Sequence, residues 1–399
     1  MSQFLGYRRP DGSVGVRNMV ALITAGRCAN EMACRIADEA GEGVVPLMHN
    51  QPCVHVGPDN ERAKMVLSGL GQNPNVAAAI VLGIGCDSIS AVDLAEDIAA
   101  TGKPIEVLTI EREGDYDTVI AKGVRFAKQM KEAASLLTRE PFGLDEITLA
   151  VKCGGSDTTS ALGCNPVAGW AVDQIVDAGG TAVFSETAEL IGAEHILARR
   201  GATPEVSQKI LDAVARMDKR ISDAGVDILG SEPTPGNIKG GLTSIEEKSL
   251  GAIAKSGHRP LADVILWGDH LPGKGLYFMD GSANTPQMAL GLAAAGAQMM
   301  TFGFGGGLPS RFRGMPASSL GNLPILPVIK IVSSPQVKSE LDYFDVYAGT
   351  IIEGLESVGD VGQRLLNTIL HVASGKPTKV EMAPRYREVL EMWRVGPVF

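Results

Sequence analysis

From residue 18 to about 131 the chain alternates short apolar runs with longer stretches whose apolar residues recur at helical spacing. MVALIT precedes 29–40, VVPLM precedes 60–70, AAIVLGIG precedes 88–100 and IEVLTI precedes 116–130. Apolar runs of this length suit buried strands, and the stretches between them are long enough for helices. The pattern therefore predicts a βα-layered unit around a parallel sheet.

A second α/β unit is expected to begin at ITLAVKCGG, continue through a helix over 168–178 and reach the strand TAVFSE. The charged stretch 132–146, with Pro141 and Gly143, separates the two. This gives an α/β chain of parallel-sheet layered domains, with a Rossmann-like N-terminal unit over 1–140 and a C-terminal unit over 141–399. The Gly/Pro-rich SEPTPGNIKGG at 231–241 predicts a long ordered loop, the kind that often carries function. The apolar runs ADVILW, AQMMTFGF and LPVIKIV follow, with a closing helix over 358–372.

The 399 residues can bury a large core, and 48 glycines imply many tight turns. A formal charge of −10 argues against a nucleic-acid partner, because phosphate backbones are held by excess Lys and Arg. With no apolar run long enough to span a bilayer, no membrane is expected and a cytoplasmic location is. Six widely spaced cysteines point to metal ligation or burial rather than a disulfide framework.

In a parallel α/β sheet, ligands collect beyond the carboxyl ends of the strands, so the turns there are searched first. Cys53 follows VVPLM, Cys86 follows AAIVLGIG and Cys153 follows ITLAVK, so adjacent strands could bring three thiols together for a soft metal or an iron–sulfur cluster. His49 could add an imidazole. Against this stands simple packing, since free cysteine is among the most buried residue types. The run Cys153-Gly154-Gly155-Ser156-Asp157-Thr158 suits an oxygen-rich ligand, and serves equally as the N-cap of the next helix. Glu186 directly follows a strand and is singled out as a catalytic candidate, whereas Glu189 and Glu194 are expected on a solvated helix face. His195, His270 and Lys274 are general acid–base candidates, and Asp280 closes another apolar run. GIGCDS lacks the third glycine of the dinucleotide fingerprint, and nothing matches GxxxxGK[ST].

The motifs FLGYRRPDGSVGVRN, HNQPC, LGIGCD, KCGGSDTTSALGCNPVAG, SETAELIGAEHILARR and EPTPGNIKGGLTSIEEKSLG, in this order and nearly end to end, resemble the UxaA-type altronate and galactarate dehydratases. That family includes split enzymes such as (2R)-sulfolactate sulfo-lyase. The resemblance implies a lyase that takes the proton from the carbon bearing hydroxyl and carboxylate and expels a β-substituent, leaving a 2-oxo acid. Water is the leaving group of the sugar-acid dehydratases, the main reading; sulfite is that of the sulfo-lyase, the alternative. A non-catalytic binding subunit is a third reading.

The enediolate formed on the way calls for a divalent metal, which the resemblance implies to be Fe²⁺ or Mn²⁺, with an iron–sulfur cluster the minority reading. Cys53, Cys86, Cys153, His49 and Asp280 are the ligand candidates. Because the fused enzymes begin with a small SAF domain and this chain starts at the GYRRPDG segment, a small SAF-domain subunit is the expected partner in a homo- or hetero-oligomer. Arg311 and Arg313, in GGGLPSRFRGMPASSLGN, could bind a second anionic group of the substrate.

Overall fold

A computed structural model describes residues 3–52, 57–229, 231–306, 323–383 and 389–394. Cys53, Arg311 and Arg313 lie outside the described residues.

Three sheets organise the chain. The strands β1 (Gln3–Arg8), β2 (Val14–Gly15) and β7 (Glu140–Gly143) form a small antiparallel sheet in the order β2-β1-β7. The strands β3 (Met19–Thr24), β4 (Val44–Leu47), β5 (Val76–Gly83) and β6 (Ile105–Thr109) form a parallel sheet ordered β4-β3-β5-β6. A parallel sheet of seven strands is built from β8 (Thr148–Gly154), β9 (Thr181–Phe184), β10 (Leu261–Leu266), β11 (Gly275–Asp280), β12 (Met299–Phe304), β13 (Val328–Val332) and β14 (Val346–Tyr347). Its order is β10-β11-β9-β8-β12-β13-β14. The βα alternation read from the sequence is thus present in both parallel sheets. The sequence boundary at 140 falls on the first residue of β7, which pairs with β1.

Side chains alternate across each strand and sort into layers. In β3, Val20 and Leu22 pack into one core while Ala21 and Ile23 pack into a second. That second core is shared with the large sheet, through Ala150 of β8, Val183 of β9 and Phe302 of β12. The outer face of the large sheet, with Leu149, Val151 and Phe184, has its own core beneath the helices Cys164–Asp177 and Val358–Ala373.

Between the parallel sheets, the helices Pro58–Gln72 and Thr285–Ala294 pack together, and buried asparagines tie the layers. Asn75 accepts from the backbone N–H groups of Val16 and Arg17 and donates to the carbonyls of Gln298 and Ile325 at 2.7 and 2.8 Å. The RRPDG motif is structural here. Arg9 is buried and donates to Pro74 O, Asn18 and Arg17 O, while Arg17 pairs with Glu381 at 2.7 Å. The segment 231–241 is not the loop its composition predicts throughout: it contains the helix Pro235–Lys239, started by a reciprocal cap between Thr234 and Asn237.

Candidate active site

The chain leaves β8 for β9 on one side and later crosses back to β12 on the other, so the carboxyl ends of these three strands surround a topological switch point. This is where α/β sheets bind ligands. Along β8 the alternation places Lys152 on the face of Ala150 and the shared core, where its Nζ lies 5.9 Å from the centre of the Phe302 ring. Cys153 takes the opposite face.

At the end of β9, Glu186 is the only non-glycine with positive φ among the described residues, at φ 84 and ψ 61. An ordinary side chain costs roughly 1–3 kcal/mol in such a conformation, which persists only where its surroundings hold it. Here the turn sends the chain directly into the 3-10 turn Thr187–Leu190, which carries Glu189 back toward Glu186.

These side chains form a buried charged cluster. Lys152 and Lys255 both pair with Glu186, one on each carboxylate oxygen, and Glu186 also accepts from the backbone N–H of Cys153 at 3.3 Å. Lys152 further donates to Ala283 O at 3.1 Å. Glu189 lies 3.5 Å from Lys255 and 3.1 Å from Lys248. Lys248 pairs in turn with Glu232 and reaches Asn237 at 3.3 Å. Lys152, Glu186, Glu189, Lys248 and Lys255 are each at most 5% exposed, so isolated charges would be prohibitively costly and their mutual pairing is what permits them.

Burial alone would push the Lys255 pKa down, but facing Glu186, Cys153 and Glu189 outweighs it and the net direction is up. Glu189, which burial would raise, is held well below the carboxylate range by Lys248, Lys255 and Lys152. Burial and the Glu189 charge push the Cys153 thiol up to about 12.

Cys153, Glu186 and Glu189 place their ligand atoms within 4.8 Å of one another, and no other group of three or more His, Cys, Asp or Glu does so among the described residues. One sulfur with two carboxylates fits a divalent ion of intermediate softness. The same carboxylates are shared with three lysines, so an ion seated there would take over part of their neutralising role.

The CGGSDT turn meets this cluster but plays a mixed part. Ser156 Oγ lies 3.2 Å from Cys153 Sγ, and Ser156 O accepts from Asn237 at 2.7 Å, so the 231–241 segment is fastened to the site. Thr158 lies against Gly240 O, and Gly154 ends β8 while Gly155 turns the chain at φ 55. Asp157 is spoken for: it caps the helix Thr158–Leu162 through Ser160 N at 2.8 Å, accepts from Thr159 Oγ1, and holds Gly306 N at 2.6 Å.

Other sequence candidates take no part in the cluster's charge pairs. His49 is fully buried, with Nε2 2.5 Å from Thr24 O and Nδ1 accepting from Gln51 N at 3.1 Å, so both ring nitrogens are engaged by backbone. Cys86 is exposed in the N-terminal unit. Asp280 accepts from Thr187 and pairs with Arg216. His195 and His270 are exposed, and Lys274 sits beside the amino-terminal end of β11, at the far end of the strand from the carboxyl-end cluster, donating to Asp145 O.

Sequence reasoning missed Lys152, Lys248, Lys255 and Glu232, and placed Glu189 on a solvated face although it is buried. One signal was present: a lysine inside the otherwise apolar TLAVKCG run has no reason to be there unless a carboxylate meets it. None of the five described cysteines forms a disulfide, and no described helix is long and apolar enough to cross a membrane.

Comparison with known proteins agrees with this architecture. The C-terminal family model of D-galactarate/altronate dehydratase matches residues 144–398, and the second-domain model of D-galactarate dehydratase/altronate hydrolase matches residues 6–135. The chain is 39% identical to (2R)-sulfolactate sulfo-lyase subunit beta of Chromohalobacter salexigens, over 95% of this chain and 94% of that one. It is 31% identical to altronate dehydratase of Bacillus subtilis, over 94% of this chain and 74% of the relative. With galactarate dehydratase (L-threo-forming) of Escherichia coli it shares 30%, over 94% and 73%. All three relatives are lyases by name. The chain belongs to the galactarate/altronate dehydratase family.

Proposed function

We propose that the chain is the catalytic subunit of a lyase that removes the α-proton of a small 2-hydroxy carboxylic acid and expels a β-substituent, giving a 2-oxo acid. The observation that carries this reading is the buried Cys153–Glu186–Glu189 group with its three lysines, at the switch point of a family member's large sheet.

Cys153, Glu186 and Glu189 would hold the divalent ion, Fe²⁺ or Mn²⁺. When bound, the ion supplies Lewis-acid stabilisation of negative charge on the substrate carboxylate and 2-hydroxyl. The remaining work falls to the chain. Lys152, between Glu186 and Ala283 O, is assigned the proton transfer: as the free amine it would take the substrate α-proton and hand it to the departing group, while Glu186 stays ionised. Lys255, its pKa raised, stays cationic and stabilises the charge that develops as the carbon acid ionises.

The leaving group we favour is sulfite, because the chain is 39% identical to the sulfo-lyase subunit and 28–31% identical to the dehydratases. Water is the second reading, supported by the independent likeness to three dehydratases. The relative's designation as a beta subunit supports a hetero-oligomer with a small SAF-domain subunit. The test combines the purified chain, that candidate subunit and Fe²⁺ or Mn²⁺ with 3-sulfolactate, altronate or galactarate. Formation of 2-oxo acid with stoichiometric sulfite supports the favoured reading; 2-oxo acid from the sugar acids alone transfers the proposal to dehydration; none from any acid refutes the lyase.

A further inference from the structure

The helix Pro204–Asp223 packs against the 3-10 turn that carries Glu189. From it, Arg216 donates through Nη2 to Asp280 Oδ2 at 2.8 Å. The other oxygen of Asp280 accepts from the Thr187 hydroxyl at 2.8 Å, and Thr187 Oγ1 accepts from Gly281 N at 2.9 Å. Thr187 immediately follows Glu186. The guanidinium is therefore fixed, through one carboxylate and one hydroxyl, to the strand ends that carry the charged cluster.

The two partners differ in exposure: the Asp280 side chain is 8% exposed and that of Arg216 is 49% exposed. Among the described residues, Nε and Nη1 of Arg216 donate to no acceptor. A guanidinium is a planar fork whose remaining donors keep fixed directions once one nitrogen is held. The next arginine on the same side, Arg220, is used differently, with its guanidinium 5.5 Å from the centre of the Trp393 ring. Within the cluster, Lys152, Lys248 and Lys255 are already paired with Glu186, Glu189 and Glu232.

We propose that Arg216 is a specificity-determining residue that binds a second anionic group, sulfonate or distal carboxylate, on a dianionic 2-hydroxy acid. This rests on the lyase reading for the location of the substrate. Asp280 acts as the positioning residue: it aims the guanidinium and is itself aimed by Thr187.

A purely structural role, in which Arg216 only neutralises Asp280, makes a different forecast for a paired substitution. In Arg216→Gln/Asp280→Asn the buried charge and its partner leave together, so stability is kept under either view. Calorimetry on the metal-loaded holoenzyme would compare 3-sulfolactate, malate and glycerate, which carry a sulfonate, a carboxylate and a neutral hydroxyl at the far carbon. The expected result is that wild type prefers both dianions to glycerate by about tenfold, the size of one charge-assisted hydrogen-bonded contact. Arg216→Lys, which keeps the charge but not the fork, should narrow that preference, and the double variant should abolish it at unchanged Tm. A preference that survives in the double variant, or its absence from wild type, overturns the proposal. Production of 2-oxo acid by wild type is scored separately: turnover with no tail preference removes Arg216 alone, while tail-selective binding without turnover of any acid removes the lyase reading.

Discussion

Lys255 donates to Glu186 from a helical turn about seventy residues further along the chain, with both side chains at most 1% exposed. Together with Lys152 it brackets a carboxylate whose own backbone sits in the left-handed region. Three separate stretches of chain thus converge on one glutamate.

Loss of the Lys255 ammonium should be far more damaging than loss of a surface cation. Lys255→Met leaves Glu186 and Glu189 short of a counter-charge in the interior, an imbalance that costs about 3–5 kcal/mol. Lys209, which pairs with Asp263 at 2.7 Å but is half exposed, should cost about 0–1 kcal/mol when changed to Met. Chemical denaturation of the two variants side by side measures the contrast; similar losses would mean that the cluster is hydrated rather than buried.

Metal dependence should track the Cys153 group. Chelation is expected to abolish turnover while shifting Tm little, because a core of this size folds without an ion. Elemental analysis should find the ion depleted in Cys153→Ala and Glu189→Gln and retained in Cys164→Ala, whose thiol instead contacts Ser160 O. Full retention in all three places the ion elsewhere.

The buried His49 ring should give the protein an acid-sensitive step. Burial depresses its pKa to about 4, against about 6.5 when unfolded. Between those values the unfolded chain binds a proton that the folded chain refuses, so stability is full above pH 6.5, falls as the pH drops through that window and levels off below it. At ~1.4 kcal/mol per unit the loss is about 3 kcal/mol. His49→Gln should flatten the stability profile between pH 6.5 and 4; an unchanged slope would assign the acid lability to other groups.

Asn75 should behave as a structural rivet between the sheets. Asn75→Ala orphans the N–H groups of Val16 and Arg17 and the carbonyls of Gln298 and Ile325, at about 1–3 kcal/mol for each group left unsatisfied. Thermal unfolding should show a large drop in Tm with catalytic constants little changed in the folded fraction; a drop within the range of an ordinary surface substitution would show that water replaces the amide.

Local sequence determined a good deal by itself. The apolar runs MVALIT, AAIVLGIG and ITLAVKCGG became strands β3, β5 and β8, because a strand buried on both faces is apolar at nearly every position. Cys153 and Glu186 were legible as candidate site residues because each lies at or just beyond the end of a strand, and strand ends are where a parallel sheet meets its ligands. The strands β2, β7 and β14 were not legible, since edge strands of two to four residues have too few positions to set a period, and β1, QFLGYR, mixes polar and apolar residues without a continuous apolar run.

Which charged residues meet was decided only in three dimensions. Nothing in the local sequence singled out Lys248 and Lys255, and Glu189 was expected on a solvated face, because periodicity shows which side of a helix is apolar but not what stands opposite. Their burial follows from the crossing of the helix Ile245–Ile253 over the Thr187–Leu190 turn. The same limit applies to His49 and Asp157: their chemistry suits a ligand, yet in the fold Thr24, Gln51, Ser160 and Gly306 claim their polar atoms first. A side chain's type sets what it can bind; the packing of distant segments sets whether anything is left for it to bind.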